Sequence, residues 1–133
     1  MSELINIPKY GRKIDFWTCL KKAFEKNVKI DIGHFKIICM FLDVMDFYEN
    51  LSKDTSKKEA RKILEKEGIF SKNSEYISGE YIKKHIDRES RVAVHNRIND
   101  LRKLEFSIET KPGPLGGYKL LKTPDWFLNG ENV

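Results

Sequence analysis

The chain has 133 residues, 40% of them hydrophobic and 34% charged, with a formal net charge of +5 and a pI near 9.1. That length suits one domain, or two very small modules sharing a core, and the apolar content excludes a disordered chain. The positive balance fits a polyanionic partner such as nucleic acid and equally a lysine-rich solvated surface; residues 71–123, with 11 Lys/Arg against 7 Asp/Glu, are denser in positive charge than residues 1–70, with 14 against 11.

Residues 1–12, with Pro8 and Gly11, read as an extended arm. Ser2-Glu3 is followed by no apolar run of the kind a secretory signal needs. Asp15 then precedes Phe16, Trp17, Leu20, Ala23 and Phe24, whose spacing predicts an amphipathic helix stopping at Asn27. Lys21, Lys22 and Lys26 occupy its opposite side as solvated charge. After a break at Asp31-Ile32-Gly33, the segment Phe35–Tyr48 is apolar on nearly every side. Such a helix must be surrounded, either by the rest of the chain or by a second copy at a dimer seam. Asp43 and Asp46 mark its solvated edge rather than a catalytic pair.

Lys36 and Asp43 interrupt this apolar run, which falls short of the ~18–20 residues that cross a bilayer; the expected location is cytoplasmic. Cys19 and Cys39 lie within the apolar patterns without a C-x-x-C neighbour, as buried free thiols do. The mostly polar stretch from Leu51 to Thr55 is the expected boundary between an N-terminal helical region, residues 1–55, for support or dimerisation, and a second module, residues 56–123. Ser56-Lys-Lys-Glu59 has the form of a capping box. It opens a helix with Ala60, Ile63 and Leu64 on one face, ending near Gly68.

The next elements fall in a specific order. After the loop Ser71–Ser74, Ser78 caps a short helix, Gly79–Ile86, that buries Ile82 and Ile86. Asp87-Arg88-Glu89 makes a tight turn, and Ser90 caps a longer helix from Arg91 to about Leu104. Two short helices joined by a tight turn, the second rich in hydrogen-bond donors, form the helix-turn-helix arrangement. At ~100° per residue, Val94, Ile98, Leu101 and Glu105 share one side, whose apolar members face the core. Val92, Asn96, Asn99 and Lys103 share the other, flanked by His95 and Arg102. Asn pairs with adenine edges, Val touches a thymine methyl, and Arg or Lys reaches guanine or phosphate.

Phe106–Thr110 and Tyr118–Leu120 alternate apolar and polar residues around the turn-rich Lys111-Pro-Gly-Pro-Leu-Gly-Gly117, which predicts a hairpin. Lys111, Lys119 and Lys122 would set positive charge beside a phosphate backbone. Trp126 and Phe127, after Pro124 in the tail (residues 124–133), either fold back on the core or dock on a partner.

Ser78-Gly-Glu-Tyr-Ile, Ser90-Arg-Val-Ala-Val-His-Asn-Arg-Ile98, Leu101-Arg102 and Gly116-Gly-Tyr-Lys-Leu120 resemble the winged-helix DNA-binding domain at the N-terminus of bifunctional biotin ligase-repressors. The resemblance covers about the last half of the chain. It implies that Ser90 to Asn99 is the groove-reading helix and Lys111 to Gly117 the wing tip. The wing loop is somewhat longer here, and Glu105 stands where a glycine often ends the helix. No Gly-Arg-Gly-type adenylate-binding run follows, so the ligase half is not expected.

His34, His85 and His95 are scattered, without metal-ligand spacing, and no nucleophile–base order, P-loop or dinucleotide fingerprint is present. His34 and His85 read as surface or boundary residues. The expected fold is mostly α with a small β-hairpin wing: a winged helix-turn-helix preceded by N-terminal helices. The expected function is binding of double-stranded DNA by a small, non-enzymatic transcriptional regulator without cofactor, a homodimer through its N-terminal helices being one arrangement. Val92, Asn96 and Asn99 would read base edges from a helix capped by Ser90. Arg91, His95, Arg97, Arg102, Lys103, Lys111 and Lys119 would lie on or near phosphates. Two other readings compete: a winged helix serving as a protein-contact adaptor, and a DNA-binding accessory subunit of a nuclease, recombinase or phage assembly.

Overall fold

The computed structural model describes residues 16–86, 90–113 and 115–127. The N-terminal arm and the Asp87–Glu89 turn expected from the sequence lie outside these residues. Along the described chain, helices α1 (Phe16–Glu25), α2 (Ile32–Asp54) and α3 (Lys57–Lys66) come first. A two-residue strand β1 (Ile77–Ser78) leads into α4 (Gly79–Lys84) and α5 (Arg91–Lys103). The hairpin strands β2 (Ser107–Lys111) and β3 (Gly117–Lys122) complete the series.

Helix ends follow the local chemistry. Three helices close with the same pair of backbone bonds, in which the chain reverses through one left-handed residue. After α1, Val28 N–H reaches Ala23 O and Asn27 N–H reaches Phe24 O, with Asn27 at φ +56°. After α3 the turning residue is Gly68, and after α5 it is Glu105 at φ +78°. Glu105 therefore occupies the glycine-type position that the sequence marked, at a steric cost that a glycine would not carry.

At its N-terminus α3 differs from the expected capping box. The Ser56 hydroxyl accepts from Glu59 N–H, but the reciprocal bond from the Glu59 carboxylate does not form among the described contacts. A complete box caps α2 instead. The Asp31 carboxylate accepts from Gly33 and His34 N–H, while His34 Nδ1 accepts from Asp31 N–H. Imidazole replaces the usual Glu because its unprotonated nitrogen is an equally good acceptor.

One apolar core spans all the helices. Its centre is α2, whose Ile37, Ile38, Met40, Phe41 and Val44 are almost fully buried. The chain itself surrounds this helix, α3 and α5 packing against it and Phe16 of α1 meeting Phe35 edge-on with ring centroids 4.6 Å apart. Ala60 and Leu64 of α3 face inward, but Ile63, expected beside them, is exposed. Ile82 and Ile86 are buried even though α4 ends at Lys84. Both cysteines are free and buried. Phe106 packs against Trp126 and Phe127, so the tail folds back on the core.

The face of α1 is the largest departure from expectation. Cys19 and Ala23 are the residues it buries, while Trp17 is 70% exposed and Phe24 83% exposed. Leu20 and Phe16 are also exposed.

The sheet has strand order β1-β3-β2, antiparallel throughout, with Ile77 opposite Tyr118 and Thr110 opposite Tyr118 on the other side. The sequence pattern showed the hairpin but not β1, which is too short for any alternation to register. A Cβ on Gly117 would overlap the Ile77 carbonyl, so the close approach of β1 to β3 requires glycine there. The order α3-β1-α4-α5-β2-β3, mostly helical with a small sheet, is a winged helix-turn-helix.

Candidate nucleic-acid interface

Helix α5 is amphipathic with two different tasks. Val94, Ile98 and Leu101 are buried in the core, with Leu104 just beyond the last turn. The Ser90 hydroxyl caps the helix by accepting from Ala93 N–H at 3.1 Å. On the outward side Val92 is 69% exposed, and Arg91, His95, Asn96 and Lys103 are exposed as well. Asn99 and Arg102 are half-buried at its edge.

The hairpin is fastened to this helix by Arg102. Its Nε and Nη2 donate to Ile108 O at 3.0 and 2.9 Å, Nη1 donates to Asn99 Oδ1 at 2.8 Å, and Nη2 also reaches Thr110 Oγ1. A planar guanidinium suits this role because its fork fixes several acceptors at once. His95 adds a second link, its Nδ1 lying 3.2 Å from the Tyr118 hydroxyl on β3. Burial raises the Tyr118 pKa, opposed by the nearby charges of Arg91 and Arg102, so the phenol keeps its proton at neutral pH.

The opposite edge of α5 is anchored to the start of α2. Arg97 donates through Nε and Nη2 to the two Asp31 carboxylate oxygens at 3.1 and 2.9 Å. That guanidinium runs across Gly33, where a Cβ would come within 2.5 Å of Nε. His34, expected at the surface, is 4% exposed, and its Nε2 lies 2.9 Å from Asp100 Oδ2. Since Nδ1 accepts from the Asp31 backbone, Nε2 carries the proton donated to Asp100. The Arg97 bond, opposed by some burial and helped by His34, holds the Asp31 carboxyl well below the usual carboxylate range. The sequence carried a signal for this junction in Asp31-x-x-His34, the spacing of a capping pair.

The wing lysines differ in their surroundings. Lys111 Nζ donates to Lys72 O at 3.1 Å, and Lys119 Nζ to Glu75 Oε1 at 3.2 Å. Glu75 also accepts from the Tyr48 hydroxyl at 2.6 Å, which ties the sheet to the core helix. Burial, reinforced by that carboxylate, pushes the Tyr48 pKa up to about 12. Lys122 is exposed and lies 3.8 Å from Asp125. The structure thus brings Val92, His95, Asn96 and Lys103 together on one open face and turns Arg97 and Arg102 toward the protein's own carboxylate and carbonyl groups.

A family model described as an HTH domain matches residues 60–119, from the first turn of α3 into β3. A protein of Methanocaldococcus jannaschii, named only as uncharacterized, is 58% identical over 113 residues, covering 85% of this chain and 86% of that protein. The chain belongs to that protein's family. Its helix-turn-helix domain is the part whose geometry is described above, and α5 is the second helix of the motif. No solved structure matches the chain. Among the described residues no helix is long and apolar enough to cross a membrane, and no group of three or more His, Cys, Asp or Glu could hold a metal ion.

Proposed function

We propose that the chain binds double-stranded DNA as a small, non-enzymatic transcriptional regulator, with α5 entering the major groove and the β2–β3 hairpin lying along the backbone as a wing. The observation that carries this reading is the outward face of α5, where Val92, His95, Asn96 and Lys103 stand exposed on a helix fixed from behind by the core. An amide and a small apolar side chain are the groups that read adenine edges and thymine methyls, and cations beside them meet phosphate.

Asn96 is the principal base reader and Val92 its neighbour. Asn99 contributes from the edge, because its Oδ1 already accepts from Arg102. Arg91, His95 and Lys103 meet phosphates. Ser90 sets the start of the helix, and Lys111 and Lys119 approach the backbone from the wing. Arg97 and Arg102 act as positioning residues that hold α5 to α2 and to the hairpin. The likeness to the N-terminal domain of biotin ligase-repressors supports this assignment, since the serines it singles out, Ser78 and Ser90, do cap α4 and α5. Residues 56–123 form the DNA-binding module, and residues 1–55 support and pair it. A homodimer would select a pseudo-palindrome with half-sites about one turn, ~10 bp, apart or a multiple of it.

The test is fluorescence anisotropy with random-sequence duplex at several salt concentrations. Binding should weaken with log salt at about −0.9 per phosphate, for roughly 4–8 phosphates per bound unit. Asn96→Ala combined with Lys103→Ala should abolish binding while leaving the fold intact. Absence of binding by the unmodified chain at ~50 mM salt, where non-specific binding is micromolar or tighter, would make the domain a protein-contact module instead.

A further inference from the structure

The sequence left open whether a second copy covers α2. The chain covers α2 itself, and the unpartnered apolar face lies one helix earlier. Trp17, Leu20 and Phe24 line a shallow groove on the outside of α1, with Lys21 and Glu25 at its margin. We propose that this face is where two copies of the chain meet. The inference sharpens the homodimer reading above and does not depend on DNA binding.

The area suits a second copy. Aromatic side chains present ~150–250 Å² each, so Trp17 at 70% and Phe24 at 83% exposure, with parts of Leu20 and Phe16, leave roughly 450 Å² of apolar surface in water. Monomers rarely expose a larger contiguous patch without using it. Homodimer interfaces are about 65% apolar, so a contact centred on this patch would cover about 700 Å² per copy. The total, about 1,400 Å², lies within the range of stable complexes.

Charge argues for the same occupant. Each copy carries a net +5, which opposes association over most orientations. The groove has one cation and one anion at its margin, Lys21 and Glu25, and so no net charge of its own. A strongly acidic or basic partner would gain no attraction there, whereas two like copies can meet without facing excess charge. The face is also held firmly. Cys19 and Ala23 seat α1 in the core, Phe16 packs on Phe35, and Lys26 pairs with Glu105 just past α5 at 3.3 Å. Because α2 also grips α5 through Asp31–Arg97 and His34–Asp100, pairing at α1 would fix the spacing of the two α5 helices.

Sedimentation equilibrium of the full chain should show a monomer–dimer equilibrium with a micromolar or tighter Kd. Phe24→Asp, with an unchanged circular dichroism spectrum, should raise that Kd at least ~100-fold. A second measurement follows Trp17 emission in a Trp126→Phe background. A blue shift that tracks the dimer fraction is expected. A chain that stays monomeric to ~200 µM, far above such a Kd, overturns the inference, as does a dimer that Phe24→Asp leaves intact. Blue emission independent of concentration also overturns it, since residues 1–15 of the same chain would then be covering Trp17. Duplex binding is read separately by anisotropy, so a chain that dimerises without binding DNA refutes the DNA reading alone.

Discussion

Helices α1 and α3 are both ten residues long and both strongly amphipathic, yet they turn opposite sides to the core. In α3 the lysines Lys57, Lys58, Lys62 and Lys66 are exposed while Ala60 and Leu64 are buried. In α1 the small residues Cys19 and Ala23 face inward, and the large ones, Trp17 and Phe24, face water. The difference shows that periodicity identifies an apolar face without identifying what covers it. A face that the rest of the chain can close becomes core, and one it does not close remains available to something else.

The largest effect should come from the closed face. Leu64→Ala removes a fully buried side chain from α3 and should cost about 2–5 kcal/mol in urea unfolding. Among outward faces, Asn96→Ala on α5 should cost about 1–3 kcal/mol of duplex binding at its preferred site. Lys62→Ala on the solvated side of α3 should leave base preference unchanged, which separates a reading face from a merely polar one.

The junction between α2 and α5 makes a pH prediction. Asp31 is depressed in the folded state, so its contribution is present above the unfolded pKa and is lost as pH falls through the usual carboxylate range and below. Asp31→Asn should therefore lower stability at pH 7, by no more than about 1 kcal/mol because the pair is partly solvated, and flatten the acid limb below about pH 4. Glu105→Gly, which relieves the left-handed strain but gives up the Lys26 pair, should stabilise by about 0.5 kcal/mol in thermal unfolding. The smallest change is expected from the open face. Phe24→Ser, unfolded at concentrations where the chain is monomeric, should shift stability by less than about 0.5 kcal/mol.

The part of the fold that sequence made legible is the part governed by short-range rules. Ser78 and Ser90 cap helices as their hydroxyl chemistry requires, Asn27 and Gly68 end them, and Val94, Ile98 and Leu101 repeat at core spacing. What escaped depends on distant partners. Strand β1 exists because β3 offers an edge to Ile77 and Ser78. His34 is buried because Asp100, 66 residues away, meets its Nε2. On the candidate site, spacing correctly put Val92, His95, Asn96 and Lys103 outside, but placed Arg97 and Arg102 by composition as phosphate contacts. Only Asp31 and the Ile108 carbonyl show where those guanidinium groups are held.

The clasp of Arg102 on Ile108, Thr110 and Asn99, with His95 against Tyr118, has a kinetic consequence. Helix and hairpin are joined before any ligand arrives, so no folding step separates encounter from docking. A partner that fits this surface should associate in a single phase whose rate follows ionic strength, and substitutions that change its fit should appear chiefly as altered residence time. Breaking the clasp with Arg102→Met would add an ordering step, visible as a slower association phase that no longer rises linearly with concentration.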